Sequence, residues 1–258
     1  MTSKVTVLVL TFNQARFVRD CLDGILEQIA PFEIDLVVHD DLSTDGTREI
    51  LKSYEEEYPG RIQVNYHPYN YYSVGKSIAC APLLEINSPF VAFCEGDDFW
   101  HDRFKLAKQM DFMRQNPWCS ISHHPVGVMN DGGDAEYAVL VSRTLNKIDG
   151  HPIRMPGARV AQGNYIATCS VMLRRENLRD DFLRSVNNIQ PEDWLIFAAA
   201  SESGDVGYLQ ESMATYRLHG NNAWAGQTAE GRKSKSMEAR EFLKTHLIGE
   251  SQQILLRN

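Results

Sequence analysis

At 258 residues, with 43% apolar and 23% charged side chains, the chain matches one globular α/β domain with insertions, large enough to build a core without disulfides or structural metals. A formal charge of −8 argues against nucleic acid as a partner, because phosphate backbones select a basic face, but it leaves room for a nucleotide in a local site. Cys21, Cys80, Cys94, Cys119 and Cys169 are scattered and form no CxxC pair, so neither a zinc site nor a disulfide framework is indicated.

These cysteines read as buried, reduced thiols of a cytoplasmic protein. The first residues run straight into a strand pattern without a signal peptide, and no apolar stretch is long enough to span a bilayer. The expectation is a cytoplasmic protein, attached at most to the inner face of a membrane.

Residues 5–12 form a nearly continuous apolar, β-branched run, as a buried parallel strand should. Residues 16–28 follow with helical spacing: Phe17, Cys21, Leu22, Ile25 and Leu26 share one face, and Pro31 ends the unit. Residues 34–38 read as a second strand, 47–58 as a helix stopped by Pro59-Gly60, and 62–66 as a third strand. Residues 77–86 read as a helix that Pro82 shortens or kinks, 90–94 as a fourth strand, and 104–116 as a helix stopped at Pro117.

This alternation gives βαβ units and a mostly parallel sheet with helices on both faces. Beyond residue 128 the pattern loosens. Residues 130–163 read as an irregular insertion, 166–173 as an apolar run, 193–200 as a short helix and 214–218 as a last strand. Residues 226–236 read as a polar, basic linker, and 237–256 as a helix broken near Gly249.

In open α/β sheets, ligands bind outside the carboxyl ends of the strands. Polar residues sit there after three of the four early strands. Thr11 and Asn13 follow the first, Asp40 and Asp41 the second, and Glu95, Asp97 and Asp98 the fourth. Carboxylates packed as tightly as Glu95-Gly96-Asp97-Asp98 repel one another, so Mg²⁺ or Mn²⁺ with diphosphate oxygens is their natural partner. Asp40 can accept hydrogen bonds from a base or ribose, whereas residues 43–47 read as turn and cap. Glu192-Asp193 opens a helix, where capping explains Asp193 better than a general base does on the residues alone. After the last strand, His219 is a candidate metal ligand and Arg217 a candidate phosphate contact. The pair His123-His124 reads as strand or loop structure.

Together these residues resemble family 2 glycosyltransferases. Residues 7–13 (VLVLTFN) are similar to the family's opening strand, and residues 40–47 (DDLSTDGT) to its DDxSTDGT segment, with Leu42 where a small residue is usual. Residues 95–100 (EGDDFW) resemble its DxDD segment, with Glu95 where Asp is commoner, and Lys105-Leu106 begins a typical following helix. The likeness is strong over residues 4–116 and weaker over 163–222.

The resemblance implies a GT-A fold: a Rossmann-like, mostly parallel sheet with helices on both faces and a small acceptor-side subregion. Residues 1–225 would form the domain, with a nucleotide-sugar half at 1–128 and an acceptor half at 129–225. Residues 226–258 would be linker and C-terminal helix. The resemblance also implies an inverting transfer from a nucleoside diphosphate sugar, a UDP-sugar foremost. The acceptor would be a saccharide or lipid-linked saccharide in bacterial surface polysaccharide synthesis.

Thr11, Asn13, Asp40, Asp41, Lys76, Glu95, Asp97 and Arg217 would then bind the donor. Asp97, Asp98 and His219 would hold Mn²⁺ or Mg²⁺, and Asp193 would be the base. Acceptor specificity would lie in residues 127–163 and the C-terminal third. The terminal helix leaves peripheral membrane attachment and a homodimer open. Two alternatives stand beside this reading. A sugar nucleotidyltransferase would be expected to carry a glycine-rich phosphate loop after the first strand, which residues 11–14 lack. A non-catalytic nucleotide-binding relative is the other.

Overall fold

A central eight-stranded sheet organises the chain in the computed structural model, which describes residues 4–132, 153–187 and 189–257. Its first half is laid down as β1 (Lys4–Thr11), α1 (Val18–Leu26), β2 (Glu33–Asp40), α2 (Thr47–Glu57), β3 (Ile62–Tyr66), α3 (Cys80–Glu85) and β4 (Phe90–Glu95). A short strand β5 (Phe99–Trp100), helix α4 (Lys105–Gln115), and strands β6 (Cys119–His123), β7 (Val126–Asn130) and β8 (Arg154–Met155) follow. Then come β9 (Met172–Arg174), α5 (Asp180–Ser185), α6 (Glu192–Ala200), β10 (Asp205–Tyr208), β11 (Ala214–Leu218), α7 (Ala229–His246) and α8 (Gly249–Leu256).

The sheet order is β3-β2-β1-β4-β9-β6-β10-β8, and β5-β11-β7 form a second, three-stranded sheet. β1 pairs in parallel with β2 and β4, and β2 with β3. β9 runs antiparallel between β4 and β6. The expected mostly parallel sheet is present, with one antiparallel strand at its middle.

Alternation along β1 divides the core. Val5, Val7 and Val9 face α1, α2 and α4, while Leu8 faces α3, α5 and α6. Both faces are therefore buried, which is why the strand reads as an unbroken apolar run. Helix α1 lies directly on β5, because a Cβ on Gly24 would fall 2.4 Å from the carbonyl oxygen of Trp100. All five cysteines are free and buried, as expected.

Several expectations are corrected. The helix read at 77–86 starts only at Cys80, where the Ser77 Oγ accepts the Cys80 N–H at 2.8 Å. Pro82 falls in its first turn, where no N–H is needed. Strands β5, β6, β7 and β10 are too short or too polar to have been read. The segment 226–236 does not stay extended: Thr228 caps α7 by accepting the Gly231 N–H at 3.1 Å. Only Ala239 and Leu243 of α7 are fully buried, so its exposed charged turns read as linker. With Leu247 and Leu255 they join the apolar cluster on the α6 side of the sheet. Most of the irregular insertion read at 130–163 lies outside the described residues. Among the described residues no helix is long and apolar enough to cross a membrane.

Candidate active site

The carboxyl ends of β1, β2 and β4 open onto one cleft of about 1390 Å³, which the first turn of α6 and the segment after β11 also line. The small sheet aligns the last of these. β5 follows immediately after Asp98 and pairs with β11, Phe99 against Thr215 and Trp100 against Ala214. Residues 217–222 therefore run beside residues 97–98. The result is a 2.9 Å contact between Nε2 of His219 and Oδ2 of Asp97, the same oxygen that accepts Nδ2 of Asn222 at 3.0 Å.

The two aspartates have different surroundings. Asp97 lines the cleft, whereas Asp98 does not. Oδ1 of Asp98 accepts the Arg217 N–H at 2.8 Å. Oδ2 is buried, and the carboxylate also accepts a hydrogen bond from the Cys169 thiol. Burial, then Asp97, pushes the Asp98 carboxyl well above the ordinary range. Burial, then Asp98, Asp97 and Asp193, does the same to Glu95.

These residues fit a hard divalent ion. Asp97 and His219 offer it an oxygen and an imidazole nitrogen, and a cation would relieve the repulsion among the carboxylates. Among the described residues no three His, Cys, Asp or Glu side chains form a ready cage, so diphosphate and water would complete the shell.

Asp193 stands at the second position of α6, half-buried and lining the cleft. Its Oδ1 accepts the Trp194 N–H at 2.8 Å, and its Oδ2 accepts Nδ2 of Asn164 at 2.8 Å and Oγ1 of Thr168 at 3.4 Å. Burial raises its carboxyl above the ordinary value, and these three donors work against the rise. The neighbouring Glu192 also lines the cleft but is tied down: its Oε2 accepts Ser77 Oγ at 2.6 Å and the Ala79 N–H at 3.0 Å, joining α6 to the start of α3.

On the β1–β2 side, Asn13 is a strut. It sits in the left-handed region at φ 53, its N–H donates to Ser43 Oγ at 2.8 Å, and its Oδ1 accepts the Thr44 N–H at 2.8 Å. The Thr11 hydroxyl oxygen is buried at the strand end without a partner. Asp40 accepts Arg48 Nε at 2.5 Å and the Ser43 N–H at 3.1 Å, while its Oδ1 has no partner. Asp41 lines the cleft, and its carboxylate accepts the backbone N–H groups of Tyr71 and Tyr72.

Behind Asp41 lies a chain of buried rings that the sequence did not disclose. Asn65 Nδ2 stands 3.2 Å from His39 Nε2, His39 Nδ1 2.9 Å from His67 Nε2, and His67 Nδ1 3.5 Å from Asp41 Oδ1. An amide nitrogen only donates, so His39 Nε2 must accept and His39 must carry its proton on Nδ1. His67 Nε2 then accepts in turn, and the His67 Nδ1–H faces Asp41. Burial, then His67, lowers the His39 pKa to about 4, so the chain is neutral at ordinary pH.

Two expected donor contacts lie elsewhere. The Arg217 guanidinium is buried, pairs with Asp20 at 2.7 Å, and sits 4.7 Å from the Phe17 ring and 5.1 Å from the Phe99 ring. Its ion pair with Asp20 locks β11 to α1, while its Nε is buried without a hydrogen-bond partner among the described residues. Lys76 pairs with the Tyr69 hydroxyl and lies 5.3 Å from the Tyr71 ring, off the lining of the cleft. Asp40 is likewise engaged behind the lining. Asn164, Thr168 and Asn222 were missed as functional partners. Only Asn222, three residues after His219, carried a nearby signal.

The profile described as Glycosyl transferase family 2 matches residues 6–176, well over half of the chain. The chain belongs to glycosyl transferase family 2. The Rv1520 protein of Mycobacterium tuberculosis is 30% identical over 232 residues, covering 89% of this chain and 63% of that protein, so the chain spans less than two thirds of this relative. TuaG of Bacillus subtilis, named as a teichuronic acid biosynthesis glycosyltransferase, is 27% identical over 93% of this chain and 90% of its own length.

Among solved structures, Staphylococcus aureus TarS 1-349 in complex with UDP-GlcNAc superposes with a TM-score of 0.68 at 15% identity, covering 98% of this chain and 71% of that one. The mannosyltransferase PcManGT from Pyrobaculum calidifontis, in complex with GDP-Man and Mn²⁺, gives 0.62 at 16%, covering 100% and 69%. The fold is the GT-A fold of these glycosyltransferases. Within family 2, the cleft described here lies where open α/β sheets take their ligands.

Proposed function

We propose that the chain is an inverting glycosyltransferase that moves a sugar from a nucleoside diphosphate donor to an acceptor hydroxyl, with Asp193 as general base. The observation that carries this reading is the placement of Asp193, held by Asn164 and Thr168 in the same cleft as Asp97, His219 and Asp41. Burial makes the carboxylate a better proton acceptor than an exposed one, and such a base contributes about 10²–10⁴-fold. The acceptor hydroxyl attacks C1 opposite the departing diphosphate, and that displacement inverts the anomeric centre.

Asp41 faces the nucleoside, and Asn13 together with Asp45, which accepts the Ala15 N–H at 3.0 Å, holds in place the loop that follows Thr11. His219 and Asn222 fix the rotamer of Asp97. Mn²⁺ or Mg²⁺, bound at Asp97 and His219, would stabilise the leaving diphosphate as a Lewis acid. In this arrangement Asp98 braces β11 from behind, and Glu95 lines the cleft.

A UDP-sugar is the foremost donor, in line with the UDP-GlcNAc in the TarS structure. GDP-mannose in PcManGT and the printed name of RfbG from Shigella flexneri, a dTDP-rhamnosyl transferase, show that other bases occur among similar proteins. A role in bacterial surface polysaccharide synthesis at the cytoplasmic side of the membrane accords with the name of TuaG.

The test is a panel of nucleoside diphosphate sugars with and without Mn²⁺. Release of the nucleoside diphosphate from one donor, dependent on the metal, is expected. A protein that binds no nucleotide and hydrolyses no donor under either condition overturns the reading.

A further inference from the structure

The glycosyltransferase reading leaves two cations in the cleft without a role. Lys233 and Arg240 are the only Lys or Arg residues lining it among the described residues, in a cleft that Asp41, Glu95, Asp97 and Asp193 also line. Both stand on α7, where residues 233, 236, 237 and 240 recur at i, i+3, i+4 and i+7 and turn one stripe toward the cleft. The adjoining stripe, Ala239 and Leu243, is fully buried in the core, so the wall is anchored.

The other cations of α7 are engaged. Arg232 donates to the carbonyls of Ala225 and Gln227, Lys235 donates to Tyr72 Oη at 2.9 Å, and Lys244 pairs with Glu241 at 2.7 Å. Lys233 and half-buried Arg240 have no hydrogen bond or ion pair among the described residues.

α7 packs against α6, whose first turn carries Asp193, and against the turn at Gly157–Gln162, which leads to Asn164. The two cations therefore stand on a helix packed against the one that carries Asp193, the base to which an acceptor would bring its hydroxyl.

We propose that Lys233 and Arg240 form an oxyanion subsite for the acceptor, which carries a phosphate or carboxylate near the hydroxyl it offers. The inference rests on the glycosyltransferase reading. Its physical basis is that a planar guanidinium and an ammonium, paired with nothing among the described residues, recognise phosphate or carboxylate oxygens by charge-assisted hydrogen bonds. A neutral acceptor would leave both cations idle in a cleft whose acidic lining residues are Asp41, Glu95, Asp97, Glu192 and Asp193.

Calorimetry on the full chain, saturated with UDP and Mn²⁺, tests this with octyl glucoside 6-phosphate, octyl glucuronide and neutral octyl glucoside. At least one charged glycoside is expected to bind about tenfold tighter than the neutral one. The two charged arms distinguish a phosphate from a carboxylate. Lys233→Met with Arg240→Met should abolish the preference, and Lys233→Glu with Arg240→Glu should turn it toward the neutral glycoside. UDP affinity and the melting temperature should stay unchanged in both.

Equal binding of all three glycosides by the native chain overturns the proposal. So does a double variant that loses UDP affinity in place of the glycoside preference, which would assign the cations to the donor. Repeating the titrations without nucleotide keeps the charge preference measurable if UDP does not bind, an outcome that counts against the glycosyltransferase reading itself.

Discussion

Asn164 donates from Nδ2 to Oδ2 of Asp193 across 2.8 Å. This bond and the one from Thr168 favour the ionised carboxylate, while burial favours the protonated one. Activity that needs ionised Asp193 is therefore present above its raised pKa and lost as pH falls through it. Asn164→Ala removes one of the opposing donors. It should move the acid limb of the kcat profile to higher pH and lower the plateau by roughly tenfold. An unshifted acid limb would show that Asn164 does not tune the base.

The chain from Asn65 to Asp41 fixes two tautomers. Nitrogen-15 NMR should find His39 and His67 protonated at Nδ1 and unprotonated at Nε2 at neutral pH. His39 is held neutral down to about 4, whereas an unfolded histidine protonates near 6.5. The depressed folded value means its contribution to stability is complete above 6.5 and is lost as pH falls toward 4. His39→Asn should flatten the pH dependence of stability in that window. A proton on Nε2 of either ring would contradict the chain of donation.

Gly96 has no room for a methyl group. A Cβ there would lie 2.5 Å from Gln14 Oε1 and 3.0 Å from Thr11 Cβ. The glutamine can swing away, but the threonine carbon belongs to the end of β1 and cannot. Gly96→Ala should cost about 1–3 kcal/mol in urea unfolding. It should also weaken nucleotide binding, because it pries the β4 turn from the β1 loop.

Leu42 occupies the left-handed region at φ 66, a conformation that asparagine tolerates better. Leu42→Asn should raise stability by up to about 1 kcal/mol, read from the thermal midpoint. A loss of stability would mean that the leucine side chain contributes more packing than its backbone strain costs.

Glu192 supplies a buried anchor, not a catalytic group. Its bonds to Ser77 and Ala79 cross from α6 to α3, and hydrogen bonds to a charged group are worth about 1.5–3 kcal/mol. Glu192→Ala should destabilise by about that amount. If its only effect were a lower kcat at unchanged stability, Glu192 would belong to the chemistry.

The sequence disclosed the parts of the fold that repeat a strong local pattern. β1 and β4 are nearly unbroken apolar runs because both their faces are covered, β2 keeps a shorter apolar centre, and α1, α2 and α4 show helical spacing because only one face is covered. β6 and β10 mix Ser, His, Asp and Gly into short strands, and β9 merges with an irregular turn, so no period survives. α7 was half-read because its first turns bury little.

The site followed the same rule. Strand-end acids were visible in the chain, and β5–β11 pairing brings His219 to Asp97. Arg217 looked like a phosphate ligand because its partner Asp20 is 197 residues away. Asn164 and Thr168 lie in a stretch without periodicity, and only the fold brings them to Asp193.

The most direct measurement compares Asp193→Asn with the native chain in two assays run side by side, nucleotide binding and sugar transfer with the donor that the panel selects. The account predicts nucleotide affinity within about twofold of native and transfer reduced by about 10²-fold or more. Transfer at the native rate in this variant would contradict it.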